Sequence, residues 1–245
     1  MIDFSLQSPT KIYFGRDSLS HLDEEVRHYG NRVLLVYGGG SIKRIGLYDK
    51  VMEVLNEQSC RVWEISGVKP NPRLGLVQEG AALCKEQQIQ LVLAVGGGSV
   101  IDTAKAIANA ACYDGDPWDL FDGTCKNDRV LPLGVIVTIP AAGSEMSDSS
   151  VITRESDLCK RGRNTPLNYP KFSILNPEYT YSLPPFQTAC GAVDIMAHMM
   201  ERYFNQNENM EITDGLSEAL MRDVMKYARV LVDKPHDYNA RAEIM

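Results

Sequence analysis

Two copies of the tetrapeptide Gly-Gly-Gly-Ser constrain the fold of this chain more than any other feature. Each follows a run of mostly apolar residues, Arg32–Tyr37 before Gly38–Ser41 and Gln90–Val95 before Gly96–Ser99. Continuous runs of this kind are typical of strands that are buried on both faces of a parallel sheet. Because helical patterns follow, the sequence predicts a doubly wound α/β fold.

The same alternation extends on both sides of the glycine turns. Further strands are predicted at Lys11–Gly15, Arg61–Ile65 and Leu133–Ile139, and residues 148–175 are predicted to be rich in β-structure. Helices are predicted in between, at Ser18–His28, Leu47–Glu57, Leu74–Gln87 and Val100–Ala111.

The pattern changes near Ser182–Pro185, after which only helices are predicted, at Phe186–Tyr203 and Glu211–Val232. We therefore expect an α/β domain at residues 1–182 and the start of an all-helical domain at 183–245. The final segment, Ala240–Met245, carries a helical pattern without a Gly or Pro stop signal. Two long helices enclose little core of their own, so we expect the helical domain to be incomplete.

Composition excludes several classes of protein. The net charge is −7 and no basic block is present, which argues against a nucleic-acid or membrane-surface partner. The six cysteines include no CxxC pair, as expected for reduced thiols in a cytoplasmic protein. The first residues do not resemble a signal peptide, and no apolar run approaches the ~18 residues of a membrane span.

The glycine turns are suited to binding phosphates. Glycine allows a ligand to approach the backbone closely, and a helix start offers free N–H groups with partial positive charge. A single turn of this kind is equally compatible with a plain strand-to-helix connection and with nucleotide binding. Two such turns favour nucleotide binding. Gly96–Ser99 is assigned to the pyrophosphate because a good helix follows at once.

The nearby charges leave the cofactor type open. Asp102 either orients a cofactor or substrate group or complements the helix dipole, and the two interpretations are equally supported. The loop Gly38–Ser41 has no acidic residue to repel a 2′-phosphate, so NADP is admissible beside NAD. Lys43 and Arg44 favour NADP weakly.

An Asp–His pair lies on the first long predicted helix. Asp194 and His198 are four residues apart, which places both on one face, and Glu201 follows one step further as an outer partner. A carboxylate and an imidazole suit Fe²⁺ or Zn²⁺. An isolated Asp and His at this spacing form a surface pair more often than a metal site. The other histidines of the chain lie elsewhere in the sequence.

Taken together and in this order, the motifs resemble the iron-containing (metal-dependent) alcohol dehydrogenases, in particular their butanol-dehydrogenase-like group. The resemblance covers the whole chain. The matching segments are Pro9–Gly15, Tyr37–Lys43, Pro70–Pro72, Ala94–Asp102, Asp116–Trp118, Thr138–Glu145, Tyr179–Pro185 and the helix of Asp194 and His198.

The resemblance implies a dehydroquinate-synthase-like fold, with a Rossmann-like dinucleotide-binding domain and a helical metal-binding domain. It implies cofactor contacts at Gly39, Gly40, Ser41, Asn71, Gly97, Gly98, Ser99, Asp102, Thr138, Ser147 and Lys160. Asp102 and Lys160 are also the candidate catalytic residues. Asp194 and His198 would be two of four metal ligands, and the family's other two histidines would fall after Met245.

The implied activity is reversible hydride transfer between NADPH or NADH and a small aldehyde, giving a primary alcohol. A divalent metal, Fe²⁺ or Zn²⁺, would act as a Lewis acid on the substrate oxygen. A homodimer is implied as well. Ala142 and Ser147 depart from the Thr and Asn common in the family, which removes polar contacts from the cofactor loop.

Two other functions stay open at this point. A polyol dehydrogenase or a cyclising lyase would share the architecture and the cleft. Alternatively, the chain would be a nucleotide-binding fragment without catalysis, because its metal site would be half-built.

Overall fold

Eight strands form in the computed structural model, which describes residue 3 and residues 5–245. Their bounds are β1 Lys11–Phe14, β2 Arg32–Tyr37, β3 Arg61–Ile65, β4 Leu91–Gly96, β5 Leu133–Val137, β6 Ser149–Arg154, β7 Cys159–Asn164 and β8 Phe172–Leu175. Six of them make one parallel sheet in the order β1-β8-β5-β4-β2-β3, and β6 and β7 form a separate antiparallel hairpin.

Nine α-helices occur among the described residues. They are α1 Leu22–Tyr29, α2 Ser41–Arg44, α3 Leu47–Glu57, α4 Leu74–Glu86, α5 Gly98–Ala110, α6 Asp119–Asp122, α7 Pro185–Tyr203, α8 Glu211–Asp233 and α9 Tyr238–Ile244. The predicted order, α/β first and helices afterwards, is confirmed.

The sheet is doubly wound, as predicted. Along β2 the side chains alternate between two cores: Leu34 and Val36 pack on the side of α4 and α5, whereas Val33 and Leu35 pack on the side of α1 and α3. All four are fully buried. Burial on both faces explains why the strand reads as a continuous apolar run and not as an alternating one.

The strand order reverses between β2 and β4. From β2 the chain adds β3 on one side, then crosses over to place β4 on the other side, and continues outward from there. Ligands of open α/β sheets bind at the carboxyl ends of the strands where such a reversal occurs. Both Gly-Gly-Gly-Ser turns start at this point.

The helical part is smaller and less enclosed. Helices α7 and α8 pack together, and α9 folds back so that Leu231, Ala240 and Ile244 form a small buried cluster. Asp237 caps α9 by accepting a hydrogen bond from the backbone N–H of Ala240 at 3.0 Å. Within the described residues, no helix combines the length and apolar character needed to cross a bilayer.

Several predicted boundaries were wrong by one to four residues. The segment Ser18–His28 begins as a 3₁₀ turn at Ser18–His21 before α1 starts at Leu22. The fifth strand ends at Val137 and not at Ile139, because the chain turns out of the sheet ahead of Pro140. Helix α5 begins two residues earlier than predicted, at Gly98.

Candidate functional site

The two glycine turns lie side by side. Strands β2 and β4 are parallel neighbours, with Tyr37 opposite Val95, so Gly38 and Gly96 stand next to each other at the carboxyl edge of the sheet. The strand pairing therefore brings the two turns together in space, although they are far apart in the sequence. One elongated ligand can contact both.

The second turn leads directly into α5. Gly97 precedes the helix without any side-chain cap, and its carbonyl oxygen accepts from the N–H groups of Val100 and Ile101 at 2.9 and 3.1 Å. The first N–H groups of a helix have no partner within the helix and point outward. A Cβ atom added at Gly98 would meet nothing within 4 Å, whereas one at Gly97 would lie 3.1 Å from Ile139.

The first turn is also open to a ligand. Cβ atoms built at Gly39 and Gly40 would have no neighbour within 4 Å. Gly40 has φ +99°, a left-handed conformation that favours glycine, and Ser41 starts the short helix α2 just after it. The space above both turns fits the backbone approach that a dinucleotide needs.

Asp102 makes contacts that neither sequence interpretation anticipated. Its two carboxylate oxygens accept hydrogen bonds from the Ser144 hydroxyl at 2.7 Å and from the Val151 backbone N–H at 3.0 Å. Burial raises the pKa of Asp102, and these two hydrogen bonds together with the charges of Lys105 and Lys160 oppose that rise. Asp102 thus ties α5 to the loop that follows β5 and to strand β6.

Lys105, which the sequence analysis missed, lies at the centre of this region. Its side chain is 0% exposed. The ammonium group donates to the carbonyl oxygens of Ser144, Ser147 and Ser149 at 2.6, 2.9 and 2.8 Å, and to the hydroxyls of Ser144 and Ser147 at 3.0 and 3.2 Å. Burial lowers the pKa of Lys105 to about 8.

Thr138 and Ser147 frame the loop that Lys105 holds. The backbone N–H of Thr138 donates to the Gly96 carbonyl at 3.0 Å, so the loop leaves the sheet beside the second glycine turn. Thr138 is buried there. Ser147 is half-buried, and its hydroxyl faces Lys105 and the N–H of Ser149.

Asn71 and Lys160 form a second pair at the same edge of the sheet. The Lys160 ammonium donates to the Asn71 side-chain oxygen at 2.8 Å, and both residues are exposed. Asn71 adopts a left-handed backbone conformation, φ 56°, which asparagine tolerates better than most residues. The hairpin of β6 and β7 brings Lys160 to this position from a distant part of the sequence.

Helix α7 approaches the loop after β5 closely. A Cβ atom at Gly191 would lie only 2.5 Å from the Pro140 carbonyl oxygen, so the contact requires glycine. One turn further along α7, Asp194 Oδ2 lies 3.9 Å from His198 Nε2. Glu201 Oε2 lies 3.6 Å from the other ring nitrogen of His198.

Asp194 and His198 suit a first-row divalent cation by donor type and share a helix face, with side chains 48% and 38% exposed. They are only two donors. Within residues 3 and 5–245, no group of three or more His, Cys, Asp or Glu side chains is arranged to hold a metal ion. The described residues therefore offer two donors of a suitable type at this place and no closed set of ligands.

The structure brings most of the predicted cofactor residues to one edge of the sheet. A signal for Lys105 was present, since it lies three residues after Asp102 and shares a helix face with it. A charged residue within an Ala-rich helical segment is a second signal, because it needs a buried partner when the helix is covered on all sides.

These features define a doubly wound α/β protein with glycine turns at its switch point and an acid–histidine pair on a neighbouring helix. The sequence pattern described as iron-containing alcohol dehydrogenase matches residues 9–177. The pattern described as the C-terminal part of the Fe-containing alcohol dehydrogenase family matches residues 188–245. The chain belongs to the iron-containing alcohol dehydrogenase family.

Named relatives agree with this assignment. The chain is 47% identical over 245 residues to NADH-dependent butanol dehydrogenase B of Clostridium acetobutylicum, covering 100% of this chain and 63% of the relative. It is 36% identical over 248 residues to NADPH-dependent aldehyde reductase YqhD of Escherichia coli, again covering 100% of this chain and 63% of that protein. The chain thus spans less than two thirds of the length of these relatives.

A solved structure shows the same architecture. The crystal structure of NADH-dependent butanol dehydrogenase A from Thermotoga maritima superimposes with a TM-score of 0.95 at 43% identity, over 99% of this chain and 61% of that one. The predicted family and fold class are confirmed.

Proposed function

We propose that the protein is an oxidoreductase that transfers a hydride reversibly between a nicotinamide dinucleotide and a small aldehyde or primary alcohol. The observation that carries the proposal is the pair of open glycine turns on neighbouring strands at the switch point of the sheet. The names of the relatives, butanol dehydrogenase and aldehyde reductase, support the substrate class.

In this proposal the dinucleotide lies along the carboxyl edge of the sheet. Gly39, Gly40 and Ser41 would contact the adenosine side. The N–H groups at the start of α5, at Gly98 and Ser99, would donate to the pyrophosphate, where the positive end of the helix dipole favours negative charge.

The nicotinamide half would extend toward α7. Thr138 and the loop up to Ser147 would border it, and the Asn71–Lys160 pair would lie at the ribose. The bound cofactor supplies the hydride chemistry, and the protein supplies binding and orientation.

Asp194 and His198 would hold a divalent cation near the end of that path. Such a cation, when bound, polarises the substrate oxygen as a Lewis acid. Because the described residues contribute two donors, we expect this chain to bind Zn²⁺ or Fe²⁺ weakly and to reduce butanal slowly or not at all.

The cofactor type is proposed from the relatives. Four similar curated relatives, at 44–47% identity, carry NADH-dependent butanol dehydrogenase in their names, whereas the NADPH-dependent reductase YqhD is 36% identical. We therefore place NADH ahead of NADPH, although Lys43 and Arg44 near the first turn weakly favour the phosphorylated form.

The test is a binding titration of NADH and NADPH against this chain by calorimetry. A Gly98→Val variant fills the open space at the start of α5 and should abolish binding of both. Gly215→Val is the matched control, because Gly215 is also a helical glycine with nothing within 4 Å of an added Cβ, but lies on α8.

We expect Gly215→Val to bind like the wild-type chain. If the wild-type chain bound neither dinucleotide, or if Gly98→Val bound as well as wild type, the proposed cofactor path would be wrong. Dinucleotide binding without metal-dependent turnover would favour the nucleotide-binding fragment over a competent enzyme.

A further inference from the structure

Lys105 is the most deeply buried charge in the described part of the chain, and the chemistry proposed above does not use it. It is among the largest fully buried side chains. Placing an ammonium group there is unfavourable unless its protons are all hydrogen-bonded. Five oxygen atoms of three serines surround it at 2.6–3.2 Å, which satisfies this requirement.

The partners of Lys105 all belong to one segment. Ser144 and Ser147 lie in the loop between β5 and β6, and Ser149 is the first residue of β6. Three of the five acceptors are backbone carbonyls. Backbone acceptors do not depend on side-chain rotamers, so the contacts fix the path of the chain itself. Asp102, on the same helix face as Lys105, makes two further contacts with this segment: it accepts hydrogen bonds from the Ser144 hydroxyl and from the Val151 backbone N–H.

The loop held by Lys105, from Pro140 to Ser149, lies between the two halves of the candidate site, and the residues just before it adjoin the second glycine turn. At one end, Thr138 donates to Gly96 and Ile139 packs against Gly97 in the pyrophosphate turn. Shortly afterwards the Pro140 carbonyl meets Gly191, one turn before Asp194 on α7. The loop therefore connects the start of α5 to the helix of the acid–histidine pair.

We propose that Lys105 is a positioning residue, which clamps the loop from Pro140 to Ser149 onto α5 and so fixes the nicotinamide end of a bound dinucleotide relative to α7. The proposal rests on the cofactor path given above. Lys105 itself does not touch the cofactor, because its side chain has no exposed surface. It acts through the loop.

This role predicts a selective effect on one half of the ligand. ADP-ribose carries the adenosine, the pyrophosphate and the second ribose but lacks the nicotinamide ring. Its contacts would lie mainly on the glycine turns, outside the clamped loop. A loosened loop should therefore weaken NADH and leave ADP-ribose almost unchanged, whereas a general loss of structure would weaken both.

The experiment compares NADH and ADP-ribose binding by calorimetry in the wild-type chain and in Lys105→Gln. The glutamine amide keeps two donors but lacks the charge and the length to reach five acceptors. NADH affinity should fall about tenfold and ADP-ribose affinity should change less than about twofold. Hydrogen exchange of the backbone amides at 144–151 should speed up in parallel.

Two further variants, a second test and a control, separate a positioning role from a general loss of structure. Ser144→Ala removes the hydroxyl that bridges Lys105 and Asp102 but leaves the ammonium with its three carbonyls, so the chain should fold, with NADH weakened about threefold. It carries the test if Lys105→Gln does not fold. Lys50→Gln, an exposed lysine on α3, is the matched control and should match wild type.

Three results are distinguishable. Equal losses of NADH and ADP-ribose affinity, or no loss of either, in folded variants would overturn the positioning role. Failure of the wild-type chain to bind any dinucleotide would overturn the proposed function instead. Selective loss of NADH binding in both Lys105→Gln and Ser144→Ala would establish the clamp.

Discussion

The α/β part and the helical part bury their apolar residues to very different extents. Each face of the central sheet has a large core, and side chains such as Leu34 and Leu93 have no exposed surface. Helices α8 and α9 form a buried cluster of three residues, Leu231, Ala240 and Ile244, against which the partly buried Ile195 of α7 packs.

The difference is clearest on α8. Ile212, Leu216 and Leu220 repeat every four residues along one face and are 82%, 62% and 50% exposed. On α7, Phe186 and Val193 are exposed as well. The helical part thus has the apolar pattern of a packed element, but much of that pattern faces outward in this chain.

Local stability should follow this division. Regions with few buried apolar contacts open at a lower free-energy cost than well-packed cores. The candidate site uses both regions: the glycine turns belong to the sheet, and Asp194 and His198 belong to α7. We therefore expect the nucleotide half of the site to be rigid and the metal half to be more easily opened.

The largest expected effect compares one substitution in the two regions. Leu93→Ala on β4 leaves a cavity between fully packed layers and should lower the free energy of unfolding by about 2–5 kcal/mol. Leu231→Ala removes the same atoms from the small helical cluster, where the surroundings can relax, and should cost at most about 2 kcal/mol.

Urea denaturation followed with two probes can measure this. Both tryptophans, Trp63 and Trp118, pack against the core on one face of the sheet, so fluorescence reports that part, while far-UV circular dichroism reports all helices. Leu231→Ala should move only a change in circular dichroism at low urea concentration, which reports the unfolding of the helical part, and should leave the fluorescence transition in place. If it shifted the fluorescence transition as much as Leu93→Ala does, the two regions would unfold as one unit.

A pH titration tests Lys105, the buried cation of the α/β part. Burial lowers the pKa of Lys105 to about 8 from its ordinary 10.5, although Asp102, Glu145 and Asp148 pull in the opposite direction. Between these values the unfolded chain keeps a proton that the native chain has released. Stability should therefore rise with pH across this window, by up to about 3 kcal/mol.

The measurement is the free energy of unfolding of wild type minus that of Lys105→Gln, from pH 8 to pH 10.5. Taking the difference removes the titration of cysteines and tyrosines, which both proteins share. A difference that stays flat across the window would mean that Lys105 keeps its proton in the native state.

Much of the fold could be predicted because the signals are local. Strands β2 and β3 and helix α3 have the predicted bounds, since a buried apolar run or an amphipathic period ends at a clear polar or glycine residue. The parallel direction of the strands could be predicted because the predicted strands alternate with predicted helices. The short helices α2 and α6 were missed, because four residues are too few to show a period.

The site was predictable only in part, for a different physical reason. Gly98 and Asp194 lie in local motifs, so they could be named from the sequence. The partners of Lys105 lie 39 to 44 residues away along the chain and are mostly backbone carbonyls, which carry no sequence signature. The same holds for the contact of Asp102 with the Val151 N–H.

The smallest expected effect lies on the exposed face of α8. Leu216→Gln replaces an apolar side chain that water already reaches with a residue of similar helix propensity, so the free energy of unfolding should change by less than about 0.5 kcal/mol. Val224→Ala, on the same helix but buried, is the contrasting variant and should cost about 1–2 kcal/mol. Thermal unfolding followed by circular dichroism measures both. A loss at Leu216 as large as that at Val224 would mean that something covers this face in solution, and the contrast between a packed sheet and loosely packed helices would then no longer hold.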